Sequence, residues 1–124
     1  MAKSRKSIRW LDHVEEHDYP AADSYLRLFY EDKTVKGIVK RLRKAEITEF
    51  KAKDIFRASS LSLLGVSNSH VEKDSQKIAK GTALSPLLLV RAPSLGKVIV
   101  ADGYHRTCAI FLLDPCATIC CKIV

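Results

Sequence analysis

The stretch that decides the fold is residues 98–111, VIVADGYHRTCAIF. The apolar run that opens it predicts a buried strand, and the apolar spacing after Arg106 predicts a helix. Gly103 lies at the turn between them, followed by an aromatic ring, an imidazole and a guanidinium. A turn that only reverses the chain does not require this set of side chains, so the sequence predicts a binding site here.

The chemistry of this turn favours an anion. A helix N-terminus has free backbone N–H groups and the positive end of the helix dipole, which together bind phosphates. Arg106 adds a planar fork of donors, His105 donates a hydrogen bond or carries a proton, and Gly103 allows close approach of a ligand. Asp102 is suited to binding a metal, capping the turn or orienting Arg106. The simpler alternative is a structural turn in which Arg106 only pairs with Asp102.

The elements around this turn predict an α+β fold. A strand or connector follows residue 46, and a helix over 70–81 ends at Gly81. A buried strand within 84–93 precedes the strand and helix of the turn, and residues 117–124 form a last strand.

In the first part of the chain, the apolar spacing and the helix-start signals predict three helices, over 8–17, 20–31 and 34–45. The third has a basic stripe of Lys36, Lys40, Arg43 and Lys44. A basic stripe is typical either of nucleic-acid binding or of a solvated helix face, and the second is favoured because no aromatic residue lies among these cations. Residues 1–45 have three open roles: a lid over the site, a homodimer interface, or a cover for one face of the sheet.

Residues 70–124 resemble the ParB/sulfiredoxin superfamily. The resemblance rests on Gly81-x-x-x-x-Pro86 before a strand, on Asp102-Gly103-Tyr104-His105-Arg106 after the next strand, and on Ala109 in the helix. It implies a small mixed sheet with helices over 46–124, preceded by a helical extension over 1–45.

The resemblance also implies a ligand, ATP or CTP with Mg²⁺. Gly103, Tyr104, His105 and Arg106 would form the phosphate-binding turn, with His105 and Asp102 as catalytic groups and Asp102 as the metal ligand. By the same resemblance, the preceding helix would add phosphate contacts from His70, Lys73 and Lys77. The expected function is nucleotide binding, with weak NTPase or phosphotransferase activity as an extension of it.

Differences from the superfamily pattern limit which activities of the superfamily are expected of this chain. Sulfiredoxins have a cysteine where this chain has Tyr104, and Cys108 lies on the apolar helix face, so sulfinic-acid reduction is not expected. A serine-kinase activity would need an acid or base, for which Asp102, Glu72 and Asp74 are candidates. No segment corresponds to the DNA-binding helical domain of ParB. The alternative function is a non-enzymatic, nucleic-acid-binding or regulatory module, partition-like or antitoxin-like, that uses helix 34–45.

The composition of the chain limits which partners, locations and cysteine chemistry are expected. The net charge of +7 favours anionic partners, and no apolar run is long enough for a membrane helix. The basic start of the chain lacks the apolar segment of a secretory signal, so a cytoplasmic protein is expected. The four cysteines fit neither a disulfide framework nor a zinc motif and are expected to be small buried residues, with Cys120 and Cys121 on opposite faces of a strand.

Overall fold

The computed structural model describes residues 8–65 and 68–124, which form five α-helices and a four-stranded mixed sheet. The helices are α1 (Asp18–Leu26), α2 (Asp32–Lys44), α3 (Ala52–Ser59), α4 (Ser69–Lys80) and α5 (Tyr104–Leu113). The strands are β1 (Thr48–Lys51), β2 (Leu87–Ala92), β3 (Lys97–Asp102) and β4 (Thr118–Ile123). The predicted α+β class is confirmed.

The strands lie in the order β1-β4-β2-β3. β2 and β3 form an antiparallel hairpin closed by a short 3₁₀ helix, Pro93–Leu95. β4 pairs parallel to β2 on one side and antiparallel to β1 on the other. The strand that comes last along the chain therefore lies in the interior of the sheet.

The surroundings of β2 explain why its residues are nearly all apolar and do not alternate with polar residues. Leu87 and Leu89 face the core shared with α3, α4 and α5, whereas Leu88 and Val90 face the core shared with α1 and α2. Successive side chains of a strand point to opposite faces, and here helices cover both. The sheet is therefore the middle of three layers.

Helices α1 and α2 bury one face of the sheet, which was one of the three roles open for the first 45 residues. Ala22, Leu26, Val35 and Leu42 are fully buried and belong to one cluster with Leu88 and other residues of β2 and β3. Deleting these helices would expose that cluster to water, at a cost of about 25 cal/mol for each Å² of apolar surface.

Two local predictions were wrong. Residues 8–17 are not helical, because the segment pairs with a residue of the α4–β2 connection: the N–H of Leu84 donates to the carbonyl of Arg9, and its carbonyl accepts from the N–H of Leu11, both at 2.8 Å. These tertiary hydrogen bonds override the helical spacing of the segment. The sequence also missed α3, although Ala52, Ile55 and Ser59, its buried residues, have helical spacing.

The cysteines divide into two groups. Cys108 and Cys121 are buried as predicted, whereas Cys116 is exposed and Cys120 half-buried. Burial raises the pKa of the Cys121 thiol to about 12 and also raises the pKa of Cys108. Both buried thiols therefore stay protonated at neutral pH and act as apolar packing groups.

Candidate functional site

The turn between β3 and α5 is built on Gly103, whose φ of +108° is a conformation that L side chains rarely adopt. A Cβ on this residue would lie 2.6 Å from Cγ of Leu87 and 3.3 Å from Nη2 of Arg106. Glycine is therefore required here by the protein's own packing. The same turn starts α5 at Tyr104, with no side-chain cap on its first N–H groups.

Arg106 lies in a buried polar network. Its Nη2 donates to Oδ2 of Asp102 at 2.6 Å, and its Nη1 donates to the carbonyl of Ser85 at 2.5 Å and to Oδ2 of Asp18 at 3.4 Å. The side chains of Arg106, Asp102 and Asp18 are only 13%, 18% and 8% exposed. The guanidinium therefore has protein partners on both of its terminal nitrogens, and Arg106 and Asp102 pair with each other as the structural alternative expected.

Two members of this network were missed by the sequence analysis. Asp18 is the first residue of α1, and Ser85 precedes the proline before β2; the hydroxyl of Ser85 donates to Oδ2 of Asp18 at 2.6 Å. Their only sequence signal is a polar residue one or two positions before a proline, in Asp18-Tyr19-Pro20 and Ser85-Pro86. Such pairs are common at helix and strand starts, so the signal could not locate a network that joins three distant segments.

The network shifts the ionisation of Asp102. Burial raises the pKa of Asp102 to about 6, while the guanidinium of Arg106 opposes the shift and the Asp18 carboxylate adds to it. One guanidinium cannot neutralise both carboxylates that flank it. The cost of burying the charged form of Asp102 is therefore only partly offset, which favours its protonated form. Asp102 therefore changes charge close to neutral pH.

A second group of polar residues lies where α4 meets α5. The rings of His105 and His70 are 4.8 Å apart, and the ring of Tyr104 is 5.4 Å from that of His105. Burial, together with the neighbouring His70, lowers the pKa of His105. Burial raises the pKa of Asp74, and the positive charges of Lys77 and of other nearby groups oppose that shift. We call His70, Asp74, Lys77 and His105 the α4–α5 cluster.

The cluster follows from helix periodicity. His70, Asp74 and Lys77 are spaced i, i+4 and i+7, so they share one face of α4. Asn68 caps α4 by accepting from the N–H groups of His70 and Val71, which fixes where the helix starts. The structure thus brings His70 and His105 together.

The other predicted site residues have different surroundings. Lys73 is exposed on α4. The hydroxyl of Tyr104 donates to the carbonyl of Ser62, so this ring serves to hold the connector between α3 and α4. Asp74, predicted only as one of three candidate acids or bases, lies inside the α4–α5 cluster.

The basic helix α2 has six basic residues against one acidic, and it buries only Val35, Ile38 and Leu42. Lys36, Lys40 and Lys44 are exposed. Arg43 differs from them: its guanidinium lies 2.5 Å from Glu16 and 4.2 Å from the centre of the Tyr19 ring. Arg43 therefore helps to hold α1 and α2 together, and the free basic face consists of the lysines.

Together the fold and these contacts define an α+β protein with a three-layer core, a buried Asp18–Ser85–Arg106–Asp102 network and a histidine-containing cluster at the start of α5. Comparison with protein-family models, with curated proteins and with solved structures finds no match to this chain. The resemblance to the ParB/sulfiredoxin superfamily therefore stays a prediction. Within residues 8–65 and 68–124, every helix is too short or too polar to cross a membrane.

Proposed function

We propose that this protein binds the phosphates of a nucleotide, ATP or CTP, at the first turn of α5. The observation that carries the proposal is the start of α5 itself, where N–H groups without a side-chain cap lie beside His105 and, across from it, His70. Free N–H groups and the helix dipole attract an anion, and imidazoles donate hydrogen bonds to its oxygens. Lys77, whose charge acts on Asp74 in the same cluster, adds a further cation.

Arg106 has a positioning role in this proposal. Its contacts with Asp102 and with the Ser85 carbonyl fix the turn that starts α5, so it acts through the backbone that binds phosphate. Replacing Arg106 would disturb the fold and the site together. The informative substitutions are therefore those of the two histidines.

The Mg²⁺ that accompanies a nucleotide would neutralise phosphate charge in the site. Asp102 fits this ion poorly, because its Oδ2 accepts from Arg106 at 2.6 Å and its side chain is largely buried. Asp74 fits better, since its carboxylate lies among the groups of the α4–α5 cluster. We therefore assign the metal to Asp74 in place of Asp102, which remains a partner of Arg106.

The test is calorimetric titration of Mg-ATP, Mg-CTP and Mg-GTP into the protein and into H70A/H105A. Saturable binding that weakens at least tenfold in H70A/H105A supports the proposal; the matched control is H13A, which removes an exposed histidine that pairs with Asp12. Release of inorganic phosphate is measured in the same samples to detect turnover. Absence of saturable binding, or equal affinity in both variants, contradicts the proposal.

A second candidate is nucleic-acid binding by α2, favoured by the exposure of Lys36, Lys40 and Lys44 along a helix with six basic residues and one acidic residue. Phosphate contacts of this kind release counterions and make the affinity fall with salt. The triple substitution K36E/K40E/K44E should abolish binding to a DNA duplex and reduce the salt dependence. Equal binding by the triple variant would exclude α2 as the interface.

A further inference from the structure

Three potential metal ligands lie together just before and at the start of α1. Nε2 of His17 is 3.3 Å from Oδ1 of Asp18 and 3.9 Å from Oε1 of Glu15, and the three ligand atoms lie within 4.8 Å of one another. Two donors that bind one ion at about 2.1 Å lie about 3.0–3.4 Å apart in octahedral or tetrahedral geometry. The histidine–aspartate pair already has this separation, and the ligand oxygen of the half-exposed Glu15 side chain lies within 4.8 Å of both other ligand atoms, so a side-chain adjustment brings it to the same ion.

Asp18 gives this group a fixed, buried ligand. Its side chain is 8% exposed, and its Oδ2 is held from the protein side by Ser85 at 2.6 Å and by Arg106 at 3.4 Å. Its Oδ1 is the oxygen that faces His17. Hydrogen bonds from outside the ligand set orient metal-binding carboxylates in this way.

Ser85 also fixes a second ligand. Its Oγ accepts from the backbone N–H of Glu15 at 3.0 Å while it donates to Asp18, so one hydroxyl sets the relative positions of two ligand-bearing residues. Ser85 is buried and belongs to the connection before β2. Both ligands are thus anchored by the connection before β2, which lies outside their own segment.

The local charge favours a cation. Asp102 and Arg106 neutralise each other, and Glu15 and Asp18 leave two negative charges. The N-terminus of α1 opposes them with only about half a positive charge. The imidazole of His17 is 76% exposed, so positions opposite the protein ligands are open to water.

We propose that Glu15, His17 and Asp18 form a binding site for a divalent first-row transition metal such as Mn²⁺ or Zn²⁺. One imidazole and two carboxylates suit these ions, whereas Ca²⁺ and Mg²⁺ prefer oxygen ligands alone. Three protein ligands with open positions are typical of metal sites that also bind water or a substrate. The site is separate from the α4–α5 cluster and does not rest on nucleotide binding.

The test uses Mn²⁺ as the probe, because the exposed Cys116 and half-buried Cys120 would compete for Zn²⁺. The loss of the free Mn²⁺ signal in electron paramagnetic resonance gives stoichiometry and affinity. We expect one tight ion per chain and an affinity at least tenfold lower in H17A. The matched control is H13A, which removes a histidine at 2.8 Å from Asp12 that lacks the buried anchor.

A second measurement locates the ion. Mn²⁺ broadens the amide signals of nearby residues in NMR spectra, and we expect the broadening at 15–18 and at Ser85. S85A keeps all three ligands but frees Asp18 and Glu15, so it should weaken Mn²⁺ binding, while E15Q should weaken it directly. Equal Mn²⁺ affinity in H17A and H13A, or broadening centred elsewhere, overturns the proposal whatever the outcome of the nucleotide titrations.

Discussion

Replacing Arg106 by Met tests whether the buried network stabilises the fold. The substitution keeps an apolar stem but removes the guanidinium between Asp18 and Asp102, whose side chains are 8% and 18% exposed. Removing one partner of a buried ion pair costs about 3–5 kcal/mol, because the other charge remains buried. For a chain of this size that loss lowers Tm by roughly 10–20 °C.

The loss should depend on pH. At pH 4 Asp102 is protonated, because its pKa is raised to about 6, so removal of Arg106 leaves less unpaired charge. We expect R106M to lose about 3–5 kcal/mol at pH 8 and less than half of that at pH 4. Urea denaturation at both pH values gives the two free energies of unfolding.

The matched control is R57M, which removes an exposed arginine at the end of α3 and should change the free energy of unfolding by no more than about 0.5 kcal/mol. A loss below about 1 kcal/mol for R106M at pH 8 would refute the argument. So would an equal loss at pH 4 and pH 8, since the carboxylate charges would then not be its source.

Three further predictions concern the same region. The folded-state pKa of Asp102 lies above its unfolded value of 3.8, so the folded state binds more protons and the contribution of Asp102 to the free energy of unfolding falls by about 2 kcal/mol between pH 4 and pH 7; in D102N, urea denaturation should show most of this decrease removed. G103A should lose several kcal/mol in the same assay, because its Cβ would meet Leu87 at 2.6 Å in a positive-φ conformation; a loss below about 1 kcal/mol would contradict the packing argument. A bound phosphate should raise the lowered pKa of His105, so nucleotide affinity measured by calorimetry should increase from pH 8 to pH 6, and H105A should reduce that increase.

The sequence predicted those helices and strands whose apolar pattern depends only on their own residues. Strands β2 and β3 are bounded by prolines and glycines, and α2 and α4 have clear helical spacing, so their places followed from the residues alone. Residues 8–17 have equally good spacing but form backbone hydrogen bonds with Leu84, more than 70 positions away. Periodicity within a segment contains no information about such a partner.

The same distinction applies to the candidate site. The turn at Gly103 and the pairing of Asp102 with Arg106 are local: the sequence predicted the turn, and it offered the pairing as the simpler alternative to a phosphate contact. The contacts of Arg106 with Ser85 and Asp18 span 21 and 88 positions, and they are what withdraws the guanidinium from solvent. A short motif shows which side chains are present, but it does not show which of them pair with other parts of the protein and are therefore withdrawn from a ligand.

The order of the strands has a consequence for folding during synthesis. β4 lies between β1 and β2, so until Thr118–Ile123 leave the ribosome, β2 presents an unpaired edge whose side chains are Leu87, Leu88 and Leu89. An apolar edge of this kind is a template for pairing between nascent chains. Chains that stall before β4 should therefore aggregate, and β4 protects the protein from its own most apolar segment.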